Sequence, residues 1–382
     1  MKIVVLGNQA RAMTNFWTVL LRRMVSDGHD VVCLVPDPFA GEDPAWEAAL
    51  EGLGVRLVHY PLDRKGMHPV RDLKTLRALW NILRRERPDV LFAYTIKPVI
   101  YGAMASALAG VPPRAARHVM ITGLGYMFEG DSPAKRLLLQ VARLLYRVAL
   151  GCAGTVYFQN DDDRALFERL SIIPGSTAVR KTKGTGVDVR HFALRKPPAG
   201  PPVFLFVGRL LEAKGLRELA EAAALVRKDH PEARFQLLGP AEKGPGAVPI
   251  EEVRTWERDG LVEYLGETKD VRPYLERASV VVLPSWREGT PCSLMEAMSM
   301  GRAVIAADAP GSREVVRHGL NGFLTPVRDA QGLANAVKHF IMNPDYIAGM
   351  GAAGRALMEE EFDADRVAGE LLRSMGLETP PR

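Results

Sequence analysis

A chain of 382 residues, 47% hydrophobic and 25% charged, is long enough for two cored domains and is neither disordered nor fibrous. Its net charge of +5 is unevenly spread: residues 1–195 hold 27 Lys and Arg against 18 Asp and Glu, whereas the remainder holds 23 against 27. A basic first half suits an anionic partner such as a phospholipid surface or a lipid diphosphate, and no nucleic acid is expected, because no compact run interleaves the basic residues with aromatics.

The three cysteines, Cys33, Cys152 and Cys292, stand far apart in no ligand spacing. Neither a disulfide framework nor a zinc site is expected, and a reducing cytoplasm fits best. The opening MKIVVLG reads as a short strand and a turn, not as a leader, and no run of about eighteen apolar residues occurs, so nothing is expected to span a membrane.

In chain order, the first half alternates apolar runs with helical patterns. KIVVLG, a helix over 14–27, HDVVCLVP and a helix near 43–53 are followed by VRLVHYP and a helix over 70–87 closed by Arg87-Pro88. DVLFAYT, a small-residue helix near 98–109 and RHVMITG continue the series. Continuous apolar strands predict a parallel sheet covered on both faces. Ligands of such sheets sit beyond the carboxyl ends of the strands, which makes Gly7, Lys97, Thr122, Gly123 and Tyr126 candidates to share one rim. Gly7 would allow close backbone approach, and Lys97 could meet a phosphate.

Residues 133–150 form a helix that is apolar almost all round, with Arg136, Arg143 and Arg147 spaced by seven and four into one basic stripe. It reads either as a core helix with a thin solvated face or as an interfacial helix whose apolar sides enter lipid while its arginines meet headgroups or a diphosphate.

The Gly- and Pro-rich segment KTKGTGVDVRHFALRKPPAGPP reads as a linker, and a second αβ series starts at once. PVFLFVGRL ends in Gly208-Arg209, with Lys214 close behind; Arg209 and Lys214 at a strand's carboxyl end could clamp a diphosphate. Gly239 and Gly266 end two further strands, where a flat base could approach backbone.

SWREGTPCSLMEAMSMG, residues 285–301, organises the second half. Thr290 is expected as N-cap and Pro291 as the first helical residue, with Gly301 as a left-handed stop. The amides of Cys292, Ser293 and Leu294 would then face a phosphate with the positive end of the helix dipole. Glu288, before the helix, can accept from sugar hydroxyls, and Glu296, projecting from it, from a ribose.

Strand-GRL-x3-KG, followed about eighty residues on by EGTPCSLMEAMSMG, resembles the family 4 retaining glycosyltransferases of the GT-B fold, whose signature holds two glutamates separated by seven residues. GTGVD at 184–188 resembles the family's linker. YTIKPVIYGAMAS and ITGLGYMF look most like bacterial enzymes that extend undecaprenyl-diphosphate-linked sugars, including PglA-like N-acetylgalactosaminyltransferases. The resemblance implies an α/β GT-B architecture of two Rossmann-like domains facing an interdomain cleft. Residues 1–190 would bind the acceptor and 191–360 the nucleotide sugar, with a terminal helix in 361–382 packing back on the first domain.

By the same resemblance Arg209 and Lys214 hold the donor diphosphate, Glu288 the transferred sugar and Glu296 the ribose, with Gly7 near the diphosphate. Many members place a histidine at the end of the fifth strand, where this chain has Ile121-Thr122-Gly123; His118 lies near that strand's start and is read as a structural histidine. No Asp-x-Asp metal motif stands at a strand end, so charge neutralisation by the chain is expected to replace a metal ion. No cofactor is expected beyond the UDP-sugar co-substrate. The implied acceptor is a polyprenyl-diphosphate sugar, reached from the cytoplasmic face of the membrane by peripheral association. A GT-B epimerase, a transferase with a soluble acceptor and a non-enzymatic nucleotide-binding module are the alternatives.

Overall fold

The computed structural model describes residues 1–38, 43–63, 68–124, 133–244 and 246–377, with side chains in the helix that starts at 133 described from Leu137 onward. Tyr126 and the side chain of Arg136 lie outside the described residues. The chain divides into two compact units, 1–185 with 365–382, and 186–364. It crosses between them at 185/186 and 364/365, where the sequence reading placed 190/191 and 360/361.

Unit 1 is a seven-stranded parallel sheet of β1 (Lys2–Leu6), β2 (Asp30–Pro36), β3 (Arg56–Tyr60), β4 (Val90–Tyr94), β5 (Arg117–Ile121), β6 (Thr155–Phe158) and β7 (Ala178–Lys181), in the order β3-β2-β1-β4-β5-β6-β7. Its helices are α1 (Ala10–Ser26), α2 (Ala45–Glu51), α3 (Pro69–Glu86), α4 (Ile96–Ala109), α5 (Pro133–Cys152) and α6 (Asp161–Arg169). The central strands are buried almost throughout, as unbroken apolar runs require when helices cover both faces. One core joins the sheet to α3, α4 and α5 through Leu79, Val99 and Tyr146; the other joins it to α1 through Met13 and Trp17. Caps follow local chemistry: Asn160 accepts from the Asp163 N–H at 2.8 Å, and α3 stops at Arg87 with φ 47° directly before Pro88.

Unit 2 is a six-stranded parallel sheet of β8 (Val203–Val207), β9 (Arg234–Leu238), β10 (Glu263–Tyr264), β11 (Val280–Leu283), β12 (Ala303–Ala307) and β13 (Gly322–Thr325), ordered β10-β9-β8-β11-β12-β13. Its helices are α7 (Leu216–Arg227), α8 (Ile250–Arg258), α9 (Arg272–Arg277), α10 (Cys292–Ser299), α11 (Ser312–Val315), α12 (Ala330–Met342) and α13 (Asp345–Glu361).

Much of the segment read as a linker belongs to unit 2. The fully buried Arg302 donates to the carbonyls of Arg195 and Lys196 at 2.6 and 3.0 Å, and Arg355 to those of Val189 and Phe192, both at 3.0 Å. These charge-assisted bonds satisfy a backbone that has no strand partner of its own. The last helix, α14 (Ala364–Ser374), returns to unit 1, where Ala368, Leu371 and Leu372 join the α1 core and the Ser374 hydroxyl lies 2.6 Å from that of Tyr157.

Candidate functional site

In each sheet the connections leave in opposite directions from one pair of neighbouring strands, β1 and β4 in unit 1, β8 and β11 in unit 2. That fork, at the strands' carboxyl ends, is where an open α/β sheet takes a ligand.

Unit 2 brings Lys214 and Glu288 to its fork. Lys214 ends a single 3-10 turn after β8, and Gly215 follows with φ 71°. A Cβ at 215 would lie 2.2 Å from the Pro284 carbonyl oxygen, so glycine is needed to seat this turn against the loop leaving β11. On that loop the Glu288 N–H donates to the Pro310 carbonyl at 3.0 Å. The Lys214 ammonium donates to Glu288 Oε1, and both side chains are mostly buried, 20% and 14% exposed. A cation and a carboxylate therefore stand together at the fork. Arg209, by contrast, is exposed and 3.7 Å from Glu242. It stands at the rim as an exposed cation.

The helix after Glu288 departs from expectation at its first turn. It begins at Cys292, one residue later than read, with Pro291 at the cap position (φ −75°, ψ 101°) and no side-chain cap, so Thr290, itself buried, does not cap it. The Leu294 N–H is taken by the Pro291 carbonyl at 3.1 Å, which removes it from the expected set of phosphate donors. Cys292 and Ser293, both half-buried, remain of that set. Gly301, at φ 79°, does close the helix.

Glu296 is half-buried on α10, and burial pushes its carboxyl group up to about 8. That shift favours its protonated, donor form in the free protein, whereas ribose hydroxyls would find their best acceptor in its ionised form.

Gly208, Gly239 and Gly266 line up along the ends of β8, β9 and β10. Gly239 donates its N–H to the Gly266 carbonyl at 2.8 Å, and a Cβ on it would lie 2.0 Å from the Gly208 carbonyl oxygen. Backbone packing thus explains Gly239, while Gly266, at φ 77°, has open space beside it and keeps the expected room for a base.

Unit 1 corrects more of the reading. A Cβ at Gly7 would lie 2.3 Å from the Tyr94 hydroxyl, so an aromatic ring beneath the turn, and not ligand approach, already requires this glycine. Lys97 is turned inward: its ammonium donates to Asp72 Oδ1 at 2.7 Å and to the Asp63 carbonyl at 2.6 Å, which withdraws it from a phosphate-binding role. Thr122 and Gly123 follow β5 at the rim, with Gly123 at φ 141°. His118 is buried at the amino end of β5, 3.3 Å from the Tyr157 hydroxyl, and burial together with Arg180 pushes its pKa down to about 4. It is a neutral structural side chain.

In the candidate turn Tyr94-Thr95-Ile96-Lys97, one backbone conformation carries no sign in the sequence. Thr95, at the β1/β4 fork, holds φ 68° and ψ 164°, a region nearly reserved for glycine, and its hydroxyl has no partner among the described residues. Such strain costs about 1–3 kcal/mol and gathers at functional sites, but nothing in a threonine between a strand and a helix announces it.

On α5, Arg143 is half-buried and exposed Arg147 donates to the Ser171 carbonyl, so the arginines are not a free stripe. The outward face is instead apolar: Leu137, Val141, Leu144 and Val148 are 69%, 40%, 62% and 44% exposed.

Known proteins share this fold. Residues 12–181 match the family model "Glycosyl transferase 4-like domain" and residues 201–343 match "Glycosyl transferases group 1". Over 350 residues, 88% of each chain, the protein is 23% identical to N,N'-diacetylbacillosaminyl-diphospho-undecaprenol alpha-1,3-N-acetylgalactosaminyltransferase of Campylobacter jejuni. Over 301 residues, 74% of each chain, it is 28% identical to UDP-Gal:alpha-D-GlcNAc-diphosphoundecaprenol alpha-1,3-galactosyltransferase of Escherichia coli. Among solved structures, Anabaena HepE in complex with UDP and glucose superposes with a TM-score of 0.76 over 98% of this chain and 99% of that one, at 20% identity. Two parallel-sheet Rossmann-like domains, their neighbours among solved GT-B enzymes and the two matched domain models lead to one conclusion: this chain belongs to the glycosyltransferases of GT-B type, a glycosyl transferase 4-like domain followed by a group 1 domain.

Proposed function

We propose that the protein transfers an N-acetylhexosamine from a UDP-sugar to a polyprenyl-diphosphate-linked saccharide in bacterial glycan assembly, with retention of anomeric configuration. It would work as a peripheral protein on the inner face of the cell membrane. The observation that carries this reading is the contact of Lys214 with Glu288 at the β8/β11 fork. The names of the two relatives above, both acting on undecaprenyl-diphosphate-linked sugars, support the acceptor class.

In this mechanism Lys214, Arg209 and the first amides of α10 neutralise the charge that grows on the departing diphosphate. Glu288 accepts from a hydroxyl of the transferred sugar and orients its ring; it does not attack. The acceptor oxygen bonds to the anomeric carbon on the face from which the phosphate leaves, and its proton passes to the leaving phosphate oxygen. UDP and a saccharide one sugar longer are the products, with no covalent sugar–protein intermediate. Glu296 releases its proton to solvent and accepts from the ribose hydroxyls.

For the membrane, the exposed face of α5 is the feature to consider. Positions 137, 141, 144 and 148 fall on one side of a helix whose opposite side, Ala142, Tyr146, Ala149 and Leu150, lies in the core. Among the described residues no helix is long and apolar enough to cross a bilayer, which makes lying in the interface the mode that suits this stripe. Apolar insertion thus replaces the arginine stripe as the main attraction, with Arg143 and Arg147 flanking it.

UDP release from a panel of UDP-N-acetylhexosamines should require a short polyprenyl-diphosphate sugar; isomerised sugar without any acceptor would indicate an epimerase instead. Glu288→Gln should cut turnover by about 100-fold while leaving UDP affinity within about threefold, because its carboxylate meets the sugar and not the nucleotide.

Titration of UDP against pH tests Glu296. Its bound form should be ionised while its free form titrates near 8, so affinity should rise with pH from 7 towards 8 and level off above, by at most about tenfold per unit. Glu296→Gln should flatten that profile, and a wild-type profile already flat would take Glu296 out of the ribose site.

Sedimentation with anionic vesicles tests the helix: Leu144→Gln with Val148→Gln should lower the bound fraction about tenfold or more, since each large aliphatic side chain contributes roughly 1.5–3 kcal/mol when fully buried. Unchanged sedimentation of a folded double variant would discard the lipid-facing reading.

A further inference from the structure

Trp286 lies two residues before Glu288 and stands outside the hydrophobic core of unit 2. Three different segments hold it. Its backbone N–H donates to the carbonyl of Ala213, the residue before Lys214, at 2.9 Å. Its indole Nε1–H donates to Glu218 Oε1 in the first turn of α7 at 3.1 Å. The guanidinium of Arg328, from the loop after β13, stacks on its ring 3.9 Å from the centroid.

Arg328 is exposed and is held at φ 61°, a left-handed conformation that a residue with a side chain avoids unless its surroundings demand it. The stack is also electrically matched. A carboxylate at the indole N–H enriches the ring that the cation covers, so Glu218, Trp286 and Arg328 reinforce one another.

The position of these contacts gives them meaning. The loops that deliver Lys214 and Glu288 touch through Gly215 against Pro284, Ala213 with Trp286, and the ion pair itself. Among its contacts, Glu288 is held by its N–H bond to Pro310 and by its attraction to Lys214. That attraction must loosen when Lys214 turns to a diphosphate. A separate fixed point lets the carboxylate keep its place as its partner is shared, and the Trp286 side chain, bonded to Glu218 in the first turn of the helix that follows the Lys214 turn and covered by Arg328, ties the loop down independently of the pair.

We propose that Trp286, braced by Glu218 and Arg328, is a positioning residue that holds Glu288 in register with the donor sugar once Lys214 engages the diphosphate. This rests on the reading of Lys214 and Glu288 as the donor centre.

The test is a double-mutant cycle on kcat, using the UDP-N-acetylhexosamine that turns over fastest and a short polyprenyl-diphosphate sugar, with UDP affinity followed by calorimetry. Trp286→Ala should lower kcat about tenfold or more with UDP affinity within about threefold, whereas Trp286→Phe, which keeps a ring under Arg328, should retain at least about a third of kcat. Arg328→Gln, an exposed substitution, should lower kcat roughly threefold and keeps the idea testable if Trp286→Ala does not fold. In a Glu288→Gln background the Trp286 and Arg328 substitutions should each cost less than about twofold, since the group they position is gone. Full additivity, or a loss of UDP affinity in step with kcat, overturns the brace alone. A Glu288→Gln variant with wild-type kcat overturns the donor-centre reading, and the brace with it.

Discussion

The donor chemistry proposed for this protein hangs on one ion pair made possible by one glycine. Lys214 can meet Glu288 because Gly215 lets the turn after β8 come so close to Pro284 that no side chain would fit between them. The parallel order of β8 and β11 brings the two loops side by side, and the burial of both strands fixes their height. A mostly buried ion pair is not a strong source of stability, because desolvation offsets much of its attraction. Its use here is as a pre-formed charge arrangement that needs little reorganisation when a diphosphate and a sugar arrive.

The sequence carried the elements that depend on short-range pattern. Unbroken apolar runs such as VFLFV and VVVL announced buried parallel strands, and Gly301 announced the end of α10. Spacing also picked out Lys214 and Glu288, although they lie 74 residues apart, because each follows a strand end with a recognisable loop. Capping was less legible. Thr290 and Pro291 both fit a helix start in composition, and the backbone settles the matter with an extended ψ at Pro291.

What the sequence hid depends on partners distant in the chain. Lys97 looks free after β4, yet Asp72 from α3 and the Asp63 carbonyl claim it. Gly7 looks like room for a ligand, and Tyr94 fills that room. The basic stripe on α5 gave way to an apolar one because helical spacing alone cannot say which of several faces the sheet will cover. Arg328 stacked on Trp286, and Thr95 in a conformation suited to glycine, leave no trace in local composition.

The two units divide the chemistry unequally in what they reveal. Unit 2 presents charged groups already paired and seated, while unit 1 presents a strained threonine at its fork and an apolar helix face at its surface. That contrast suits the proposed division, a donor site ready for a small, highly charged ligand and an acceptor side for a large, partly lipidic one. The most direct measurement is a crystal structure of the protein with UDP. The account predicts diphosphate oxygens within hydrogen-bond reach of the Lys214 ammonium and the first-turn amides of α10, with the ribose against Glu296. A diphosphate seated away from the β8/β11 fork, with Lys214 still wholly engaged by Glu288, would contradict it.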